Sequence, residues 1–177
     1  MPADLDADAI IELLDLKPLP LEGGYYRETF RSPLVLIEES LPMEYEGNRN
    51  ASTAIYFLLT PDENSAMHIL PTDEVFHFYL GDAVEMLRLA PDGSTDVTIM
   101  GTDLLAGERP QVVVPGGVWQ GCRLVEGGRF ALLGCTVAPG FDFRDFHIAN
   151  AAEMLDLIDH YAEQAPLIRH LAPSTAP

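Results

Sequence analysis

Basic side chains are scarce in this chain: ten Lys and Arg stand against 28 Asp and Glu, a formal net charge of −18 over 177 residues. Nucleic acid and anionic membrane surfaces both require basic patches, so neither is expected as a partner. The acidity reads as a means of staying in solution. Cysteine is almost lacking as well. Cys122 and Cys135 do not form a C-x-x-C pair, and they are expected as reduced thiols buried in strands rather than as a disulfide, a zinc knot or a nucleophile. No apolar run approaches membrane-spanning length, and the acidic start MPADLDADAI has neither the basic end nor the apolar centre of a signal peptide. A cytoplasmic protein is the expectation. Internal repeats are absent, and the one biased stretch is the terminal PSTAP.

What is present is an apolar content of 47%, too high for disorder. The length suits one domain with a real core, expected over residues 1–172, with 173–177 as a frayed tail. Asp6 to Leu16 carries Ile10, Ile11, Leu13 and Leu14 among acids, which predicts a short amphipathic helix ended by Pro18 and Pro20 and lying across the outside of the fold. After Gly23 and Gly24 a strand is expected with Tyr25, Arg27 and Thr29 on one face and Tyr26, Glu28 and Phe30 on the other. Residues 32–50 read as a strand end and a long loop. Further strands are expected over 51–60, 84–89, 96–100, 111–114 and 130–137, with Pro91-Asp92-Gly93-Ser94 as a hairpin turn. Helical spacing returns only at 151–160 and 165–171. Short strands at this cadence, uninterrupted by a helix, predict an all-β sandwich or barrel with short helices at both ends.

The chemistry gathers in Ser65 to Gly81, SAMHILPTDEVFHFYLG, and in a second stretch, Val114 to Gln120, VPGGVWQ. Imidazole and carboxylate are both the usual ligands of divalent transition metals and the usual acid/base pair. His68, Glu74 and Gln120 could form a three-ligand metal site with open positions. Alternatively, His68 and a desolvated Glu74 could move a proton beside a carbonyl in a metal-free pocket. Strand alternation points Glu74, Phe76 and Phe78 one way and Val75, His77 and Tyr79 the other, so His77 joins Glu74 only if a bulge intervenes. Arg27 could hold an anionic group by a bidentate pair, Tyr25 or Tyr56 could supply a phenol, and Trp119 could stack on a sugar or base. Phe141-Asp-Phe-Arg-Asp-Phe146 is read as a subunit or helix interface. His147, His160 and His170 show no ligand spacing.

The spacing of His68, Glu74 and Gly81 resembles the first motif of the cupin superfamily, H-x-H, three or four residues, E, six residues, G, with Leu70 at the second histidine. Pro115, Gly117 and Gln120 fall on its second motif, P-x-G-x-x-H, with glutamine in place of histidine. The runs EGGYYRET, STAIYFLL, DEVFH, VVPG, GCTVAPGFDF and LIR are together similar, end to end, to one functionally uncharacterised cupin family. That resemblance implies a cupin-type jelly-roll β-barrel akin to dTDP-4-dehydrorhamnose 3,5-epimerase, dimeric, with a ligand cavity inside. The functions it leaves open are three. The first is binding of a small polar, sugar-like or nucleotide-sugar-like molecule through Tyr25, Arg27, Tyr56, His77, Trp119 and Gln120, with isomerisation or epimerisation by His68 or Glu74 and no cofactor. The second is a metal-dependent dioxygenase, decarboxylase or isomerase using His68, Glu74 and Gln120. The third is a binding module without turnover.

Overall fold

Two antiparallel sheets face each other in this computed structural model, which describes residues 5–42 and 45–173. The expected frayed tail, apart from Pro173, lies outside the described residues. The larger sheet contains β1 (Lys17–Pro18), β2 (Tyr25–Arg31), β5 (Thr53–Leu59), β7 (Glu74–Gly81), β10 (Gln111–Val114) and β12 (Ala131–Val137), ordered β1-β2-β5-β12-β7-β10. The second contains β6 (Ser65–Ile69), β8 (Val84–Leu89), β9 (Thr95–Met100), β11 (Trp119–Leu124) and β13 (His147–Ile148), ordered β13-β6-β11-β8-β9. A two-stranded ribbon, β3 (Val35–Leu36) with β4 (Arg49–Asn50), interrupts the long loop expected over 32–50.

Strand neighbours far apart in sequence, such as β7 beside β12 and β6 beside β11, give the rolled-up topology of a jelly roll. Alternation holds along β7, where Glu74, Phe76 and Phe78 are buried while Val75, His77 and Tyr79 are less so. Between the sheets, Phe57, Phe76, Met86, Met100, Cys122 and Leu133 pack into an apolar core. Both cysteines are free and buried, and burial pushes both thiols up, Cys135 well above the usual thiol range.

The helices cover the outer faces. Helix α1 (Ala7–Leu14) is capped by the Asp6 carboxylate, which accepts from Ala9 N at 2.9 Å, and packs Ile10 over Leu58, Phe130 and Leu132. It ends at Asp15 in the left-handed conformation, before the prolines. On the other side, α2 (Ala151–His160) and α3 (Ala165–His170) bury Met154, Leu157 and Ile168 against Met67, Leu87 and Leu89. Asn150 and Glu153 form a reciprocal capping box at the start of α2. Among the described residues no helix is long and apolar enough to cross a membrane.

Candidate functional site

The stretch that carries the chemistry changes sheets halfway. β6 lies in the smaller sheet and β7 in the larger, so residues 70–73 form a crossover that sets His68 and Glu74 on opposite walls of the same interior. Thr72 Oγ1 donates to Ala138 O at 2.8 Å, and Asp73 Oδ1 accepts from Gly116 N at 2.9 Å. Gly116 is required there, since a Cβ would lie 2.3 Å from Pro71 O. This contact fastens VPGG to DEVFH and fixes the start of β11, where Gln120 is paired in register with His68.

All three side chains are buried. Gln120 Nε2 donates to Glu74 Oε2 at 2.7 Å and orients the carboxylate, while Gln120 Oε1 is buried without a partner. An unpaired buried acceptor costs about 1–3 kcal/mol, so a donor that reached it would be favoured. His68 Nδ1 lies 2.8 Å from Ala66 O. A carbonyl only accepts, so Nδ1 carries a proton and Nε2 is the nitrogen that exchanges one. Nε2 stands 4.0 Å from Glu74 Oε2, too long for a hydrogen bond and close enough for both to touch one ligand.

Glu22 completes the floor. Its carboxylate accepts from Ser65 Oγ at 2.7 Å, and its carbonyl accepts from Ala66 N at 2.9 Å, tying the start of the larger sheet to β6. Leu21, Gly23 and Gly24 flank it at φ of 70, 97 and 72°. At Gly24 a Cβ would lie 2.8 Å from Leu58 O and from the Phe57 ring, so the paired glycines aim Glu22 inward as well as releasing the strand. Burial would pull the His68 imidazole down, yet the Glu22 charge and the contact with Glu74 outweigh it and raise His68 to about 9. Burial lifts the Glu22 carboxyl above its usual range, with His68 and the Ser65 hydroxyl pulling the other way.

Above this floor is a cavity of about 380 Å³. Its walls include Leu19, Tyr26, Ile55, Phe57, Leu70 and Val137, and its roof is Phe141, Phe143 and Phe146. The Phe146 ring lies 5.2 Å from that of His68. The three phenylalanines, expected at a subunit or helix interface, pack on one another and line the hollow, with Phe143 59% exposed. Buried Arg49 anchors this roof: it grips Asp145 with two bonds of 2.7 and 2.6 Å and donates to the carbonyls of Glu46, Gly47 and Asn48.

Several expected ligand-binding residues lie elsewhere. Tyr25 packs with the cluster under α1. On the outer face of the larger sheet, the Arg27 guanidinium lies 5.6 Å from the centre of the Tyr56 ring, and Tyr56 meets Tyr79 edge-on. His77 stacks on Tyr79 and lies 3.3 Å from Gln111 Nε2, facing away from Glu74 as strict alternation requires. Trp119 packs beside α2 and His147, in a separate surface groove with His160 and Tyr161. The cavity takes the other phase of β2, Tyr26 and Glu28, and then Arg31. A register shift between Glu28 and Phe30 moves Arg31 inward opposite Thr53. The sequence reading assigned no site role to Glu22, Tyr26, Glu28 or Arg31. For Glu22, the double glycine after it was the available signal.

A divalent metal does not fit the donors present. Leu70 at the second histidine position is apolar, and Gln120 turns its NH₂ rather than its carbonyl oxygen toward Glu74. Among the described residues no three His, Cys, Asp or Glu side chains are grouped to hold an ion.

Comparison with known proteins agrees with this architecture. Residues 8–149 match the Cupin superfamily (DUF985). The uncharacterized protein YML079W of Saccharomyces cerevisiae is 36% identical over an alignment of 132 residues that covers 70% of this chain and 66% of that protein, so the chain spans just under two thirds of this relative's length. A hypothetical protein from Leishmania major is 31% identical with a TM-score of 0.83, over 96% of this chain and 100% of that one. Protein SO0799 from Shewanella oneidensis is 33% identical with a TM-score of 0.82, over 97% and 99%. With a jelly roll, a buried histidine and glutamate on its first motif, a buried glutamine on its second, and a family match over most of its length, the chain belongs to the cupin superfamily.

Proposed function

We propose that the cavity binds a small sugar-like carbonyl compound and moves a proton at the carbon next to the carbonyl, an isomerase or epimerase activity. The observation that carries this reading is the placement of His68 Nε2, its partner nitrogen committed to Ala66 O, 4.0 Å from Glu74 Oε2 at the base of a cavity with largely apolar walls. Glu74 takes the proton as the C–H bond breaks. The electron pair moves to the carbonyl oxygen, and the His68 imidazolium donates Nε2–H to that oxygen. Glu74 then returns the proton to the former carbonyl carbon while the hydroxyl of the first carbon gives its proton to His68 Nε2, which isomerises an α-hydroxy carbonyl and restores both groups. Return to the first carbon after the enediol has turned its other face to Glu74, with His68 taking its proton back, inverts it. Water exclusion by the phenylalanine roof strengthens both interactions.

The reading extends to a cytoplasmic single-domain protein working as a homodimer. Exposed Phe30, Leu34, Val35 and Ile37, together with the β2 edge left unpaired by β1 beyond Tyr26, are surfaces a second copy would cover. Light scattering on purified protein gives the stoichiometry. The reaction is tested by incubating the protein with 2-hydroxycyclohexanone in D₂O and following the α-proton by NMR. Wild type is expected to exchange it, and Glu74→Gln to slow exchange by about 10²–10⁴-fold. Binding without exchange would reduce the protein to a binding module.

A further inference from the structure

The cavity lining carries four carboxylates, from Glu22, Glu28, Glu74 and Asp142, against two cations. Neither cation offers a phosphate a bidentate grip. Arg31 gives Nε and NH2 to the two oxygens of Glu28 at 2.9 and 2.7 Å, and NH1 to Asn50 Oδ1 and Phe141 O. His68 has one nitrogen on Ala66 O and the other 4.0 Å from the Glu74 carboxylate, so it offers a single N–H beside a negative charge. The Asp142 carboxylate is taken by Arg144, at 2.9 and 2.7 Å. Arg27, the residue that could have clamped an anion, lies on the far side of the sheet against Tyr56. A phosphate or diphosphate entering here would lose its hydration to a net negative surround with no bidentate partner.

Size points the same way. The cavity of about 380 Å³ lies near the lower end of the roughly 300–1,000 Å³ spanned by small-molecule pockets, which suits a single-ring compound better than a nucleotide sugar. The walls of Ile55, Phe57, Leu70, Val137 and Phe146 offer no hydrogen bonds, so hydroxyls pointed at them would be desolvated without compensation. Polar partners converge only at the floor and at the mouth.

We propose that this cavity selects an uncharged, phosphate-free carbonyl compound of single-ring size, with an apolar body against the aromatic wall and one polar head on the floor. The carbonyl rests on the proton-transfer reading above; the size, the neutrality and the apolar body rest on the lining alone. A sugar enters in this view only if sparsely hydroxylated and not linked to a nucleotide.

Thermal melts of the full chain with cyclohexanone, 2-hydroxycyclohexanone, glucose 6-phosphate and UDP-glucose test it. Each ring ketone is expected to raise Tm by about 3 °C at ten times its Kd, and the two phosphorylated compounds to leave it unchanged. Filling the hollow with Ile55→Phe or, independently, Val137→Phe removes the ketone shift. Intermolecular NOEs from ketone ring protons to Phe57 and Phe146 locate the ligand in wild type without relying on either variant. Absence of those NOEs, or NOEs and stabilisation from UDP-glucose or glucose 6-phosphate, overturns the inference. Ketone bound at those rings with no deuterium uptake leaves the ligand class standing and removes the proton-transfer reading.

Discussion

The two faces of the larger sheet carry similar chemistry to opposite effect. Inward stand Tyr26, Glu28 and Glu74; outward, on the same or neighbouring strands, stand Arg27, Tyr56, His77 and Tyr79. Outside, the side chains meet one another in half-solvated stacks, with Tyr79 49% exposed. Inside, at the floor, Glu74 is 7% exposed and its contacts are made in a medium that magnifies charge, while the Glu28–Arg31 pair at the mouth stays 39% and 40% exposed. Residue type alone therefore does not mark a site here. Which face of the pleat a residue occupies decides whether a tyrosine or a carboxylate is packing or chemistry.

The contrast is sharpest where it is most costly to break. Arg49 and Asp145 form a buried pair whose side chains are 1% and 7% exposed, the anchor of the roof on the inner side. Arg49→Met leaves Asp145 charged and unpaired and is expected to cost about 3–5 kcal/mol, read from urea denaturation. A loss below 1 kcal/mol would mean that the roof is held by its phenylalanines alone.

The floor gives the next effect. His68 titrates at about 9, above the 6.5 of an unperturbed imidazole, so the fold binds its charged form more tightly. That stabilisation is complete below about pH 6.5 and disappears as pH rises through 9. Glu22→Gln keeps an acceptor for Ser65 and removes the charge that does most to hold the proton, so the His68 titration moves down, as long-range ¹H–¹⁵N NMR of the ring reports. An unchanged titration would show that Glu22 does not act on His68. Smallest is the outer face. Arg27→Ala is expected to lose about 0.5–1 kcal/mol of cation–π contact with Tyr56 and to leave ligand binding untouched.

The sequence made the scaffold legible because alternation and turn chemistry are local. The outer strands, the three helices and the inward phase of Glu74 all follow from spacing, and the two motif stretches meet as their residues suggest. The site was harder because its membership is settled by pairing. Nothing local shows that 65–69 and 74–81 enter different sheets, which is what lets His68 face Glu74. The phase of β2 was read correctly only as far as Glu28: the shift at Thr29, which depends on the register with β5, puts Phe30 on the Arg27 side and brings Arg31 inward. That the phenylalanines of 141–146 line a cavity was not legible, because alternating aromatics and charges look alike at a roof and at a surface. Trp119 and Gln120, adjacent in sequence, illustrate the same limit: one goes to the helix side and the other to the floor.

Deuterium uptake at the α-carbon of 2-hydroxycyclohexanone, compared between His68→Gln and His77→Gln, sets the two faces directly against each other. The account predicts that the inner substitution abolishes uptake and the outer one leaves the wild-type rate. Uptake that survives in His68→Gln, or that is lost in His77→Gln, would contradict it.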